Sequence, residues 1–408
     1  VLSLARKCSA PSARSTSTYR PPLSRRYFSP TSSSYVQQQP CGPAPQPRSF
    51  VIPGLTHNFE HAQQLHDYCI PVNSYFPPVR VMEALYEKLP YALKYYPSAN
   101  ADLAELVCDF VRLPDPACVL VGNGSTKLIS WLNTLFIQDD VLVPVPSFGR
   151  WTDEPAGLSR HVHYVAYQDA QQQHLSAPAF VAAVKASRAR NAVLCNPNNP
   201  TGSLLSRAEV LWILQELAHL DTIVIDESFI DFSLPTPPTV QDVMTEFPNA
   251  WVLKSLGKNL GLHGLRMGYV ISHPSNIAKL RRHVPFWNVN GVTELLLKLV
   301  VPEKEAYEAS RLRVLADRDY LYQVLQTVPQ LTVFPTFANF VYVRRDDAYD
   351  GDQLRDRLLL YQHCFVRNCG NKVQGSPQYF RIAARPQAEI DYFLAALRAE
   401  LGQVQLAA

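Results

Sequence analysis

The chain has 408 residues, 47% of them hydrophobic and 18% charged. That is enough apolar material for a large core and, at roughly 100–200 residues per domain, for two domains. The formal net charge of +3 is uneven: residues 1–50 hold seven basic side chains and no acidic one, which leaves 31 basic against 35 acidic residues, a net −4, in the rest. A slightly acidic body gives a nucleic-acid partner no electrostatic support, and no apolar run reaches the ~18 residues of a membrane span.

Residues 1–50 contain eleven Ser and eight Pro. Such a segment cannot bury enough surface to offset its ordering entropy, so it is expected to be disordered. Its Arg- and Ser-rich, acid-free makeup also fits an organelle transit peptide. An upstream extension or a displaced start is the plainer reading, since the chain opens on Val1. The expected location is the cytoplasm, or an organelle if the leader is a transit signal.

From residue 51 onward, short β-branched runs alternate with helical periodicity. Ala117–Val121 reads as a strand, followed by a Gly-containing turn and a helix over 126–136 with Leu128, Ile129, Trp131, Leu132 and Leu135 on one face. Val141–Val145 and Ala192–Cys195 read as strands. A helix follows over 207–220, with Ser206 and Glu209 forming a capping box. Thr222–Ile225 and Ala250–Lys254 are further strands. This alternation predicts a mostly parallel α/β sheet covered on both faces.

After about residue 286 the order changes to helix (304–328), strands (332–334 and 340–343), helix (351–360), strand (379–383) and helix (387–401), a separate α+β unit. The expected organisation is a leader (1–50), an arm joining the small domain (51–90), a large domain (91–285) and a small C-terminal domain (286–408). Eight cysteines form no Cys-x-x-Cys and are expected to be reduced thiols. His161 and His163 alternate along an expected strand edge with no third ligand, and no metal site is expected.

In open α/β sheets functional groups collect at the C-terminal ends of the strands, and four such ends carry unusual residues. Gly122-Asn123-Gly124-Ser125-Thr126-Lys127 opens a helix whose free N–H groups, with the Ser and Thr hydroxyls, make a phosphate cradle. It matches neither a Walker loop nor a dinucleotide fingerprint. Asn196-Pro197-Asn198-Asn199-Pro200-Thr201-Gly202 is a backbone-restrained turn that holds its Asn side chains in place. Asp226-Glu227-Ser228-Phe229 puts a carboxylate at a buried strand end, where it needs a cationic or N–H partner. Ser255-Leu256-Gly257-Lys258 continues to Arg266 and places a Lys in an apolar, Gly-spaced loop, where desolvation leaves its amine available as a nucleophile.

In this order and spacing, over about residues 67–400, the chain resembles the pyridoxal-phosphate enzymes of fold type I. These are the class I/II aminotransferase superfamily, and within it the chain is similar to the histidinol-phosphate aminotransferases and the L-threonine-O-3-phosphate decarboxylases. The resemblance implies a large domain with a mostly parallel seven-stranded sheet, pyridoxal 5'-phosphate as cofactor, a small amino-acid substrate and a homodimer. It implies Lys258 as the Schiff-base residue, Asp226 on the pyridine nitrogen, Asn199 on the ring 3-oxygen and Phe148 stacked on the ring. Gly124, Ser125, Thr126, Ser255 and Arg266 would hold the cofactor phosphate, and Tyr96 would reach the phosphate of the neighbouring subunit. Arg381 would clamp the substrate carboxylate, with Arg367 a second substrate-facing Arg and Asn73 near the substrate.

Three departures mark the chain. Phe229 stands where most aminotransferases have Tyr, as in the decarboxylase-like group. Gly257 replaces a hydroxyl residue before the Lys. An N-terminal His-Gly-Gly motif of the decarboxylases is reduced to His57. The expected activity is amino-group transfer from an amino acid that can bear a phosphate or phosphonate, with decarboxylation as the alternative.

Overall fold

A computed structural model of the protein describes residues 65–167, 173–346, 350–372 and 378–407, which belong to one compact unit. The leader expected at 1–50, and the arm up to residue 64, lie outside the described residues.

Seven strands form the main sheet: β1 (Val119–Gly122), β2 (Val141–Val145), β3 (Val162–Ala166), β4 (Asn191–Cys195), β5 (Thr222–Asp226), β6 (Ala250–Lys254) and β7 (Gly268–Ser272). Their order is β1-β7-β6-β5-β4-β2-β3, and only β7 runs antiparallel to its neighbours. The central strands are buried on both faces, which is why they read as continuous apolar runs rather than as alternating ones. Along β5, Ile223 and Ile225 pack into one core layer and Val224 into the other. The first layer is closed by Leu103, Ala104 and Val107 of helix Asn100–Val111, by Phe180 and Val184, and by Val210 and Leu214. The second is closed by Leu128, Ile129 and Trp131 of helix Gly124–Leu135, by Trp151, and by Ile277 and Leu280.

A second, antiparallel sheet comprises β8 (Leu331–Val333), β9 (Phe340–Arg345), β10 (Arg367–Asn368) and β11 (Tyr379–Ala383), in the order β10-β11-β9-β8. Helices Lys304–Leu325, Gly351–Gln362 and Gln387–Ala407 accompany it, with their own core around Leu321, Val341, Leu358, Phe380 and Phe393. The chain enters this layer at Tyr68, whose ring packs 4.6 Å from that of Phe393.

The expected strands all form, with ends shifted by local chemistry. β1 starts at Val119 because Asp115 caps a 3-10 turn at Pro116–Cys118, accepting the Ala117 N–H. The helix expected over 207–220 has its capping box, with Ser206 and Glu209 bonded reciprocally, but stops at Glu216. The structure adds elements that the sequence pattern did not show. These include β7, helix Gly291–Val300, and helix Val79–Lys94, which carries Pro90 in its interior. Cys69, Cys108, Cys118, Cys195, Cys364 and Cys369 are free thiols. His163 lies on the edge strand β3 and contacts the Asp140 carboxylate at 3.0 Å, a partner not expected there.

Candidate active site

β1, β2, β4, β5 and β6 are parallel, so Gly122, Val145, Cys195, Asp226 and Lys254 all end on one edge of the sheet. Next to that edge lies a cavity of about 370 Å³. Its lining includes Ser125, Thr126, Phe148, Asn199, Lys258, Arg266, Arg367 and Arg381, eight residues singled out in the sequence.

The anion cradle is built by Gly124. Its backbone is left-handed (φ +80°), and a side-chain carbon there would lie 2.9 Å from the Arg266 guanidinium. Glycine both permits that turn and keeps the space open. Arg266 also points Nη2 at the Thr126 hydroxyl (3.4 Å), so guanidinium, hydroxyls and helix N-terminal N–H groups converge. Gly202, also left-handed, brings the 196–202 turn against Thr336 of the second sheet layer. That approach lets Arg381 Nη1 donate to Asn199 Oδ1 (2.7 Å), while Nη2 donates to the Cys69 carbonyl (2.7 Å). The Arg381 Nε–H is buried without an acceptor. Asn199 keeps its side-chain N–H groups for another acceptor.

Asp226 is buried at the end of β5. Trp151 Nε1 donates to one carboxylate oxygen (2.8 Å) and the Ser228 N–H to the other (3.0 Å), which fixes its orientation. The adjacent Glu227 serves a different purpose. It turns toward Lys254 Nζ (3.6 Å) and accepts from the Val240 N–H (2.9 Å). Lys258 Nζ sits 3.8 Å from the centre of the Phe229 ring. Burial pushes its amine down to about 8, against the opposing pull of Asp226. His263, beside Arg266 and Lys258, is held neutral chiefly by burial, at about 4.

Among the described residues five basic side chains line the cavity (Lys258, Arg266, Arg367, Lys372 and Arg381), and no Asp or Glu does. Arg367 and Arg381 stand directly opposite each other on β10 and β11. Like charges so placed repel.

Not every expected residue faces it. Asn73 is buried with its side chain engaged: Nδ2 donates to the Ser310 hydroxyl (2.8 Å) and Oδ1 accepts the Tyr75 N–H (3.0 Å). Its link to the site is its backbone N–H, which donates to the Lys258 carbonyl (2.9 Å). Its side chain is therefore spent inside the fold and is not among those lining the cavity. Ser255 is buried ahead of the short helix Leu256–Asn259 and does not line the cavity. Tyr96 is exposed and stacked on Trp287 (4.3 Å), in a neighbouring groove that Arg266 shares. Trp151, His263 and Lys372 were not anticipated. His263 lies within the Ser255–Arg266 stretch, whereas Trp151 and Lys372 lie outside the four motifs and carry no local mark.

The residues fit pyridoxal 5'-phosphate. The Gly124–Thr126 cradle with Arg266 suits the phosphate, Lys258 the aldehyde, Phe148 a ring face, Asn199 the ring oxygen, and the oriented Asp226 carboxylate a protonated ring nitrogen. Among the described residues no group of three or more His, Cys, Asp or Glu could hold a metal ion, and no helix is long and apolar enough to cross a membrane.

Comparison with known proteins bears on this geometry. A family model described as aminotransferase class I and II matches residues 67–397. The chain is 28% identical over 353 residues to an L-serine phosphate decarboxylase of Campylobacter jejuni, covering 82% of this chain and 90% of that protein. It is 33% identical over 308 residues to histidinol-phosphate aminotransferase 2 of Bordetella bronchiseptica, covering 75% and 82% respectively. A solved decarboxylase from Sulfurospirillum multivorans superposes with a TM-score of 0.76 at 26% identity, over 82% of this chain and 88% of that one.

Proposed function

We propose that this chain, which belongs to the aminotransferase class I and II family, acts on an amino acid carrying a side-chain phosphate or phosphonate, and that it removes the α-carboxylate. The cofactor is pyridoxal 5'-phosphate. The observation that carries the substrate class is the acid-free, five-cation cavity with its opposed Arg367–Arg381 pair. Lys258 and Arg266 are taken up by the cofactor and Arg381 by the α-carboxylate. That leaves positive charge for a second anionic group on the substrate.

When bound, the cofactor supplies a conjugated ring that accepts the electron pair released at the substrate Cα. The chain's own residues do the rest. Trp151 and the Ser228 N–H hold the Asp226 carboxylate in place, and that negative charge keeps the ring nitrogen protonated. Arg381 offers a planar two-point grip on the α-carboxylate, and Arg367 holds the distal anion. Held at both ends, the substrate has one rotational freedom fewer about Cα, and that angle decides which Cα bond breaks. Lys258, neutral in a large fraction near pH 8, can carry a proton at Nζ to or from Cα.

Decarboxylation is favoured by the phosphoserine decarboxylase among the relatives and by Phe229, which removes a hydroxyl that most aminotransferases place beside the ring. It also needs one substrate, whereas transamination requires the same cavity to accept an amino acid and then a keto acid. Transamination is the second reading, supported by the 33% identity to a histidinol-phosphate aminotransferase. Incubation of the cofactor-loaded protein with O-phospho-L-serine or O-phospho-L-threonine tests the choice. Released CO2 and a phosphorylated amine, with no keto acid added, is the expected result. A keto product that depends on an acceptor keto acid would overturn it.

We further infer a homodimer in which Tyr96 serves the neighbouring subunit. Tyr96, Phe286 and Trp287 form an exposed aromatic patch, 78%, 88% and 55% accessible, beside the Arg266 cradle.

A further inference from the structure

We propose that Lys372 is a specificity-determining residue: with Arg367 it pairs with the distal phosphate or phosphonate and selects a dianion over a monoanion. This rests on the substrate class proposed above.

Lys372 ends the short turn Gly370–Lys372, which is tied to the strands that carry the two arginines. The Cys369 N–H donates to the Tyr379 carbonyl (2.7 Å), the Gly370 N–H to Asn368 Oδ1 (2.7 Å) and the Lys372 N–H to the Cys369 carbonyl (2.8 Å). Its side chain crosses to the opposite wall of the cavity, beside Phe148. There Nζ lies 2.3 Å from where a side-chain carbon of Gly149 would be. Gly149 has an ordinary φ of −56°, so what the missing side chain provides is room for the amine, not backbone freedom.

That amine has no hydrogen bond or ion pair among the described residues. Asp153, the carboxylate whose charge acts on it most strongly, makes no ion pair with it: Oδ2 lies 3.1 Å from that same Gly149 position, and Oδ1 accepts from the Thr152 hydroxyl (2.8 Å). Among the described residues Arg367 forms no ion pair, and its guanidinium makes a long contact to Asn371 (3.5 Å). Two cations without an ion pair among the described residues thus line the same cavity as Arg381. A phosphate monoester carries about −1.5 to −2 at pH 7. A carboxylate or sulfate ester carries one charge and needs one cation. Two such cations match a dianion.

The test compares isosteric ligands of different charge. O-Phospho-L-serine and O-sulfo-L-serine are titrated against the cofactor-loaded protein, with Kd read from the cofactor absorbance. Lys372→Met is expected to weaken O-phospho-L-serine by roughly 10–100-fold and O-sulfo-L-serine much less, so that the preference for phosphate shrinks; affinity for the cofactor itself is unchanged. Gly149→Ala keeps the lysine but fills the space its amine occupies, and is expected to shift the ratio in the same direction. If wild-type protein prefers O-phospho-L-serine to both L-serine and the sulfate, and both variants retain that preference in full, the role of Lys372 is overturned alone. A wild-type protein with no preference for O-phospho-L-serine over L-serine overturns the proposed substrate class, and this inference with it.

Discussion

Arg367 and Arg381 are cross-strand partners, in register on β10 and β11 and open to the same cavity, with no carboxylate among the described residues that line it. Opposed like charges cost a sheet a few tenths of a kcal/mol to about 1 kcal/mol. Without an anion, the pair is therefore a small destabilisation held in the fold. Arg367→Met is expected to leave the thermal midpoint of the anion-free protein unchanged or raise it by about 1–2 °C. It should also abolish the stabilisation that O-phospho-L-serine gives the wild type. Thermal denaturation with and without the ligand checks both. A variant that is less stable without ligand, yet still stabilised by it, would show that Arg367 serves the core instead.

The reactivity of Lys258 carries a pH signature. Only the neutral amine attacks an aldehyde, and burial lowers its pKa to about 8. Below that value the neutral fraction falls about tenfold per pH unit. Capture of pyridoxal 5'-phosphate by the apoprotein, followed by stopped-flow absorbance, should accelerate with pH and level off near 8. A rate that keeps rising toward the range of an ordinary exposed lysine would contradict the buried placement.

Trp151 does not itself line the cavity, yet its indole N–H fixes Asp226. Trp151→Phe keeps most of the packing and deletes the donor. Leaving a buried charged acceptor one bond short costs about 1–3 kcal/mol. The turnover rate is expected to fall about tenfold, and the pH at which the bound cofactor changes absorbance should shift. A loss of stability with no spectral shift would assign Trp151 to packing alone.

The aromatic patch makes an assembly prediction. Phe286 and Trp287 are too exposed for a folded monomer to have much use for them. Replacing both by Glu should convert a dimer to a monomer in light scattering and weaken cofactor binding, because Tyr96 stacks on Trp287. A wild-type protein that is monomeric while retaining tight cofactor binding would rule out a role for Tyr96 in the partner's site.

Most residues that meet around the cavity were legible in the sequence because they sit at strand ends, where glycine, proline and asparagine must cluster for the backbone to turn. Lys258, Asp226, Asn199 and Arg266 announce themselves in this way. β7 was not legible, since it enters the sheet antiparallel between β1 and β6, a placement that depends on topology and not on local pattern. Helix Val79–Lys94 was obscured by Pro90, which breaks an isolated helix. Trp151 and Lys372 carry no local mark at all. Each matters because of a residue far away in the chain: Asp226 for the first, Gly149 for the second. Asn73, expected near the substrate, has its side chain spent on Ser310 and Tyr75 and meets the Lys258 loop through its backbone.

Reductive trapping tests the central claim most directly. Treating the cofactor-loaded protein with sodium borohydride and mapping its peptides should place a single pyridoxyl group on Lys258. A label on Lys254, on Lys372 or on no lysine would contradict the assignment of this cavity.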